Sequence, residues 1–130
     1  LCVVNKKRPV NLDFSTMSLP VTSIVSITHR LSGVILFFAV GVMLWVLDTS
    51  LASKESFFNL KAILGHPVSQ LVIWASLAAL AYHMIAGIRH LIMDFGVGED
   101  SFNSGRVSAW GAAGVAAIVI TFITVWIFLW

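Results

Sequence analysis

Three stretches without Asp, Glu, Lys or Arg dominate the chain: Leu31 to Leu47, Pro67 to Ile88 and Val107 to Trp130, of 17, 22 and 24 residues. A helix needs about 20 apolar residues to cross the hydrocarbon core of a bilayer. The first run is short alone, but Val21 to Thr28 lengthens it across His29 and Arg30. The expected architecture is therefore an all-α membrane protein with three transmembrane helices, at about 22–48, 67–93 and 106–130. Residues 1–21 form an N-terminal segment and residues 22–130 the transmembrane domain.

Composition agrees. The chain is 58% hydrophobic and 11% charged, with a mean hydropathy of +0.95, whereas soluble domains carry about a quarter charged residues. A net charge of +2, scattered along 130 residues, gives no footprint for nucleic acid. The single cysteine, Cys2, permits no internal disulfide. The first apolar stretch follows a long mixed segment and exceeds a signal-peptide core, so it reads as a retained span. The chain begins at Leu1 without Met, as expected where N-terminal residues are processed or omitted. Nothing resembles an Arg-rich, Ser-rich transit peptide, which favours a bacterial source and an inner-membrane location.

The connections fit this division. Asp48 to Gly65 reads as a polar loop with Lys54, Glu55 and Lys61 and a short amphipathic stretch around Phe57, Phe58 and Leu60. Asp94 to Gly105 carries Gly96, Gly98, Glu99, Asp100 and Asn103, the breakers and charges of a surface turn. Pro67 suits the first turn of a helix, where its missing N–H costs nothing. Trp45, Trp74, Trp110, Trp126 and Trp130 fall mostly near predicted helix ends, as interfacial aromatics do. Lys6, Lys7, Arg8, Arg30, Arg89 and Arg106 lie on one side and Lys54 and Lys61 on the other. The positive-inside rule then places the N-terminus and the second loop in the cytoplasm, or in the matrix of an organelle.

His83 lies about two turns inside the second uncharged run, where an unpaired imidazole is costly and marks a candidate site. His83, Gly87, His90 and Asp94 share one face of that helix by their spacing. Ser26, His29, Arg30 and Gly33 share one face of the first. The two helices run antiparallel, so both clusters converge near the same membrane surface. Each residue also has a plainer reading. Arg30 can snorkel to headgroups, His29 and His90 can bond interfacial water, Ser26 can bond a carbonyl one turn back, and Asp94 can pair with Arg89 or Arg106. An interhelical hydrogen bond is the plain reading of His83. Ala112 with Ala116, or Ala113 with Ala117, gives small-xxx-small spacing that serves packing within the chain or against a partner.

No second histidine, cysteine or carboxylate accompanies His83 in a zinc-like or di-iron spacing, and no C-x-x-C-H offers covalent haem attachment. A b-type haem needs one axial imidazole from this chain, with another from a second helix or subunit. Gly87 would leave room for a flat macrocycle, and Arg30 with His29 could pair with its propionates.

Arg8-Pro9-Val10 and Ser26-Ile27-Thr28-His29-Arg30-Leu31-Ser32 resemble the N-terminal signature of the succinate dehydrogenase cytochrome b556 family, and residues 83–96 (His83-Met84-Ile85-Ala86-Gly87-Ile88-Arg89-His90-Leu91-Ile92-Met93-Asp94-Phe95-Gly96) resemble its second signature throughout. Length and three-span layout agree, so the resemblance covers most of the chain; the third helix is similar only in character. It implies a helical bundle made with a second, smaller anchor subunit that holds an iron–sulfur subunit and an FAD-bearing flavoprotein on the cytoplasmic or matrix face. It implies haem b with His83 as axial ligand and the second ligand from the partner anchor. Ser26 and Arg30 map onto the ubiquinone site, and His29 and Arg30 onto contacts with the haem propionates. Rival expectations are an anchor of a fumarate-reductase-type complex, a haem-free structural subunit, and a small transporter subunit with Arg30 and His83 on a proton path.

Overall fold

The computed structural model describes residues 12, 13, 15, 17–97 and 101–129. The motif residues Arg8, Pro9 and Val10, the cations Lys6 and Lys7, and Cys2, Gly98, Glu99, Asp100 and Trp130 lie outside the described residues. Four helices follow in order: α1 (Val21–Ala52), α2 (Lys54–Leu64), α3 (Pro67–Asp94) and α4 (Phe102–Leu129). Three of them, α1, α3 and α4, are long and apolar enough to span a bilayer. The chain is an all-α, multi-pass membrane protein.

Helix α1 has 32 residues and continues past Asp48 to Ala52. At 1.5 Å per residue it is about 48 Å long, well beyond a hydrocarbon core of about 30 Å. The expected polar loop after it is helical instead. Ser53 takes an extended conformation, ends α1 and caps α2, with its side chain accepting from the Ser56 N–H while Ser56 Oγ accepts from the Ser53 N–H. Ser56 also donates back to the Thr49 carbonyl at 2.8 Å, which ties the two helix ends together. This reciprocal cap satisfies donors that a short helix leaves orphaned. The amphipathic stretch thus belongs to an eleven-residue helix, in which Leu60 is buried.

His66 caps α3, its Nδ1 accepting from the Val68 N–H at 3.3 Å, and Pro67 occupies the first turn. At the other end Val97 N–H bonds Ile92 O and Gly96 N–H bonds Met93 O. Gly96 has φ of +79°, the left-handed position that this closing motif requires and glycine adopts at least cost.

The helices pack through small side chains. The buried apolar residues include Ala79 and Ala86 on α3 and Ala109 and Ala116 on α4, and among the described residues no large side chain is fully enclosed. On α4 the inward stripe is Gly105, Ala109 and Ala116 at spacings of four and seven. Ala116 of the Ala112/Ala116 pair is therefore buried inside the chain, whereas Ala117 is exposed. Without a hydrophobic force between helices in lipid, close approach of small residues is what gains dispersion energy. Large residues point outward, Phe37 at 77% and Phe122 at 73% exposed, as a lipid-facing surface demands.

Arg89 departs from the role expected of a loop-flanking cation or of a partner for Asp94. It is buried and turned into α4, donating from Nε to Ser108 Oγ (3.2 Å) and from Nη2 to the Gly105 carbonyl (3.2 Å). Trp74 Nε1 donates to Thr124 Oγ1 at 2.8 Å near the opposite end of the same helix pair. Removing the Ser108 hydroxyl leaves a buried cationic donor short of an acceptor, which costs about 1–3 kcal/mol. Ser108→Ala should therefore lower the resistance of the folded chain to SDS unfolding, read by tryptophan fluorescence, by that amount. Ser108→Thr, which keeps the hydroxyl, should stay near the parent.

Candidate functional site

The histidines predicted on α1 and α3 do meet. The rings of His29 and His83 stack with centroids 4.1 Å apart and planes 14° from parallel, and His90 lies 5.1 Å from His29, tilted by 60°. Their approach depends on two glycines. A Cβ built on Gly33 would come within 3.1 Å of His83 Cε1, and one on Gly87 within 3.3 Å of His29 Nε2. The space beside Gly87, expected to admit a flat macrocycle, is thus filled by the His29 ring.

The state of His83 follows from counting protons. Ser32 Oγ donates to the His29 carbonyl at 2.6 Å, so its single proton is committed. His83 Nδ1 lies 3.0 Å from that same Ser32 Oγ and 3.2 Å from the His29 carbonyl. A carbonyl can only accept, and the serine oxygen now accepts as well. Only an Nδ1–H satisfies both contacts, and in the neutral imidazole this leaves Nε2 with its lone pair. Nε2 has no hydrogen-bond partner among the described residues and is not among the atoms closed off from the surface. An imidazole with one nitrogen held by a backbone carbonyl and the other open is the arrangement that metal-bound histidines use. The plain reading of His83, an interhelical hydrogen bond, accounts for one of its two nitrogens. A single open imidazole suits an ion that brings its other ligands with it, as porphyrin iron does.

His29 supplies a second clue. Its Nε2 is buried and has no hydrogen-bond partner among the described residues. Such an atom is destabilising by about 1–3 kcal/mol unless something outside the chain completes it.

Ser26 and Arg30 lie on the neighbouring stripe of α1, Ser26 half-buried and Arg30 exposed. The predicted single face of Ser26, His29, Arg30 and Gly33 therefore divides: His29 and Gly33 turn into α3, while Ser26 and Arg30 border them. Thr28, Ser32 and Ser76 bond carbonyls three or four residues back. The Ser26 hydroxyl makes no such bond among the described residues. Asp94 is exposed at the end of α3. Ser32 is the residue that sequence reasoning left without a role; its signal is a hydroxyl three residues after His29 inside an apolar run.

The proton assignment has a direct readout. In the chain labelled with 15N-histidine and held in lipid nanodiscs, His83 should show a protonated Nδ1 and a bare Nε2. Ser32→Ala should keep that tautomer through the remaining carbonyl, whereas Gly33→Val should push the ring away and shift both nitrogens. A protonated Nε2 in the parent would contradict the assignment.

Comparison with known proteins places the chain in a family. The chain is 43% identical over 125 residues to the succinate dehydrogenase cytochrome b556 subunit of Coxiella burnetii, covering 95% of this chain and 99% of that one. It is 32% identical to the protein of the same name in Rickettsia felis (91% and 90% covered) and 29% identical to that of Paracoccus denitrificans (93% and 94% covered). Residues 4–125 match the family described as the succinate dehydrogenase/fumarate reductase transmembrane subunit, and the chain belongs to that family.

Proposed function

We propose that this chain is a membrane-anchor subunit of a succinate:ubiquinone oxidoreductase, binding haem b through His83 and contributing Ser26 and Arg30 to the ubiquinone-reduction site. The observation that carries the reading is the open Nε2 of His83, fixed from behind by Ser32 and the His29 carbonyl. The residues fit the group in two respects. His83 offers a lone pair in a low-dielectric setting, and His29 Nε2 is an orphaned atom that a propionate oxygen would complete. Arg30, one residue on, would add a cation for the same carboxylates. A partner anchor subunit would supply the other imidazole. Haem, when bound, would supply a one-electron store.

The chemistry of the complex divides among its chains. In such a complex a flavoprotein with FAD and an iron–sulfur subunit would carry the two electrons of succinate oxidation to the membrane. Ubiquinone takes up two electrons and two protons and leaves as quinol. This chain binds and orients the quinone. The uncommitted Ser26 hydroxyl donates to a carbonyl oxygen. The Arg30 guanidinium stabilises that oxygen as negative charge develops, an effect that is large where water is excluded. The two protons arrive from the side on which α1 begins. The charge pattern supports a cytoplasmic location for that side of a bacterial inner membrane, where the soluble subunits would dock.

The family description covers both succinate oxidation and fumarate reduction. The relatives that carry the succinate dehydrogenase name favour the first direction, and the same residues would serve a quinol-oxidising anchor.

Two measurements on the purified complex test the reading. Ser26→Ala and Arg30→Ala should lower succinate–quinone reductase activity by about tenfold or more while leaving succinate oxidation by an artificial acceptor within about twofold of the parent. Equal loss of both activities would assign these residues to assembly instead. His83→Ala should abolish or change the low-spin haem spectrum, and an unchanged spectrum would move the axial ligand elsewhere.

A further inference from the structure

An open groove of about 840 Å³ runs between the starts of α1 and α4. Its floor is apolar, with Ile24 and Val25 on one wall and Phe102, Trp110 and Ala113 on the other. Arg106 stands in the wall, exposed, with no acidic partner among the described residues. Ser18 and Thr22 bring hydroxyls to the same mouth. At the deep end Tyr82 and Thr28 pair with each other and with the Val25 and Ile24 carbonyls, so they close the groove without presenting a free polar group. From Phe102 to Ala113 the groove follows about 16 Å of helix, running from the polar boundary into the apolar layer.

We propose that this groove is a binding site for an anionic phospholipid, with the phosphodiester held by Arg106 at the mouth and an acyl chain laid along Trp110 and Ala113. Three features select this occupant. The polar groups are confined to the end where headgroups lie, and the rest is hydrocarbon-lined. The Arg106 cation, which has no acidic partner among the described residues, complements a phosphate rather than a neutral lipid. Thr28 also sits about 160° around α1 from both Ser26 and Arg30 at 100° per residue. The groove is therefore separate from the Ser26 and Arg30 stripe of the quinone site.

The test uses the purified complex in phosphatidylcholine nanodiscs containing a small fraction of phosphatidylglycerol with a photoreactive acyl chain. On illumination, label should concentrate on α4 between Phe102 and Ala113. Arg106→Gln should reduce capture of phosphatidylglycerol about fivefold and leave capture of an equivalent phosphatidylcholine unchanged. Ala113→Phe, which fills the groove, should reduce both. Equal haem content and quinone reductase activity would show that the variants assemble. Label spread evenly over the outer faces of α1, α3 and α4 would overturn the proposal, and so would undiminished capture by the Arg106 variant. Because the labelling pattern of the unaltered complex decides the matter alone, a variant that fails to assemble does not shield the idea.

Discussion

One shared proton organises the site. The hydrogen on His83 Nδ1 lies between the His29 carbonyl and a serine hydroxyl already donating to that carbonyl. A hydrogen bond of this kind contributes only about 1 kcal/mol net, and interhelical bonds within membranes average somewhat less. Its importance lies in selection more than in stability. It joins α1 to α3 at one register, fixes the tautomer of the imidazole and leaves the second nitrogen uncommitted. Gly33 is part of the same device, since a side chain there would meet the ring at 3.1 Å.

Around that link the chain packs with little bulk. Val25, Ala86 and Ala109 form the buried cluster where α1, α3 and α4 meet, and Arg89 pins α3 to the first turns of α4 through Gly105 and Ser108. A buried arginine is tolerable there because its charge lies near the α4 backbone at the membrane boundary and its donors find oxygen acceptors. Small residues inside and large apolar residues outside make a unit whose surface suits lipid. The orphaned His29 Nε2 leaves that unit incomplete at atomic scale.

Much of this is legible in the amino-acid order. The three uncharged runs reveal the spans, and His83 draws attention because an ionisable group two turns inside such a run needs a reason. What escaped has a common cause: periodicity reports where a residue lies around a helix, but not what its side chain does there. Arg89, at the end of an apolar run, reads as a loop cation until its guanidinium is seen turned inward. Ser32 reads as one more small residue until its proton is followed. The Lys54–Leu64 segment is short and charged enough to pass for a loop; its signal was the Ser53/Ser56 pair, a serine-only form of a capping box usually recognised by glutamate. Gly87 reads as room for a flat macrocycle, but the room is taken by the chain's own imidazole.

A map of the assembled complex at a resolution that defines imidazole orientation tests the account most directly. It should show iron bonded to His83 Nε2, with Nδ1 still within hydrogen-bonding distance of both Ser32 Oγ and the His29 carbonyl. Iron held by other imidazoles, with the His83 ring bonded only to protein atoms or turned toward lipid, would contradict it.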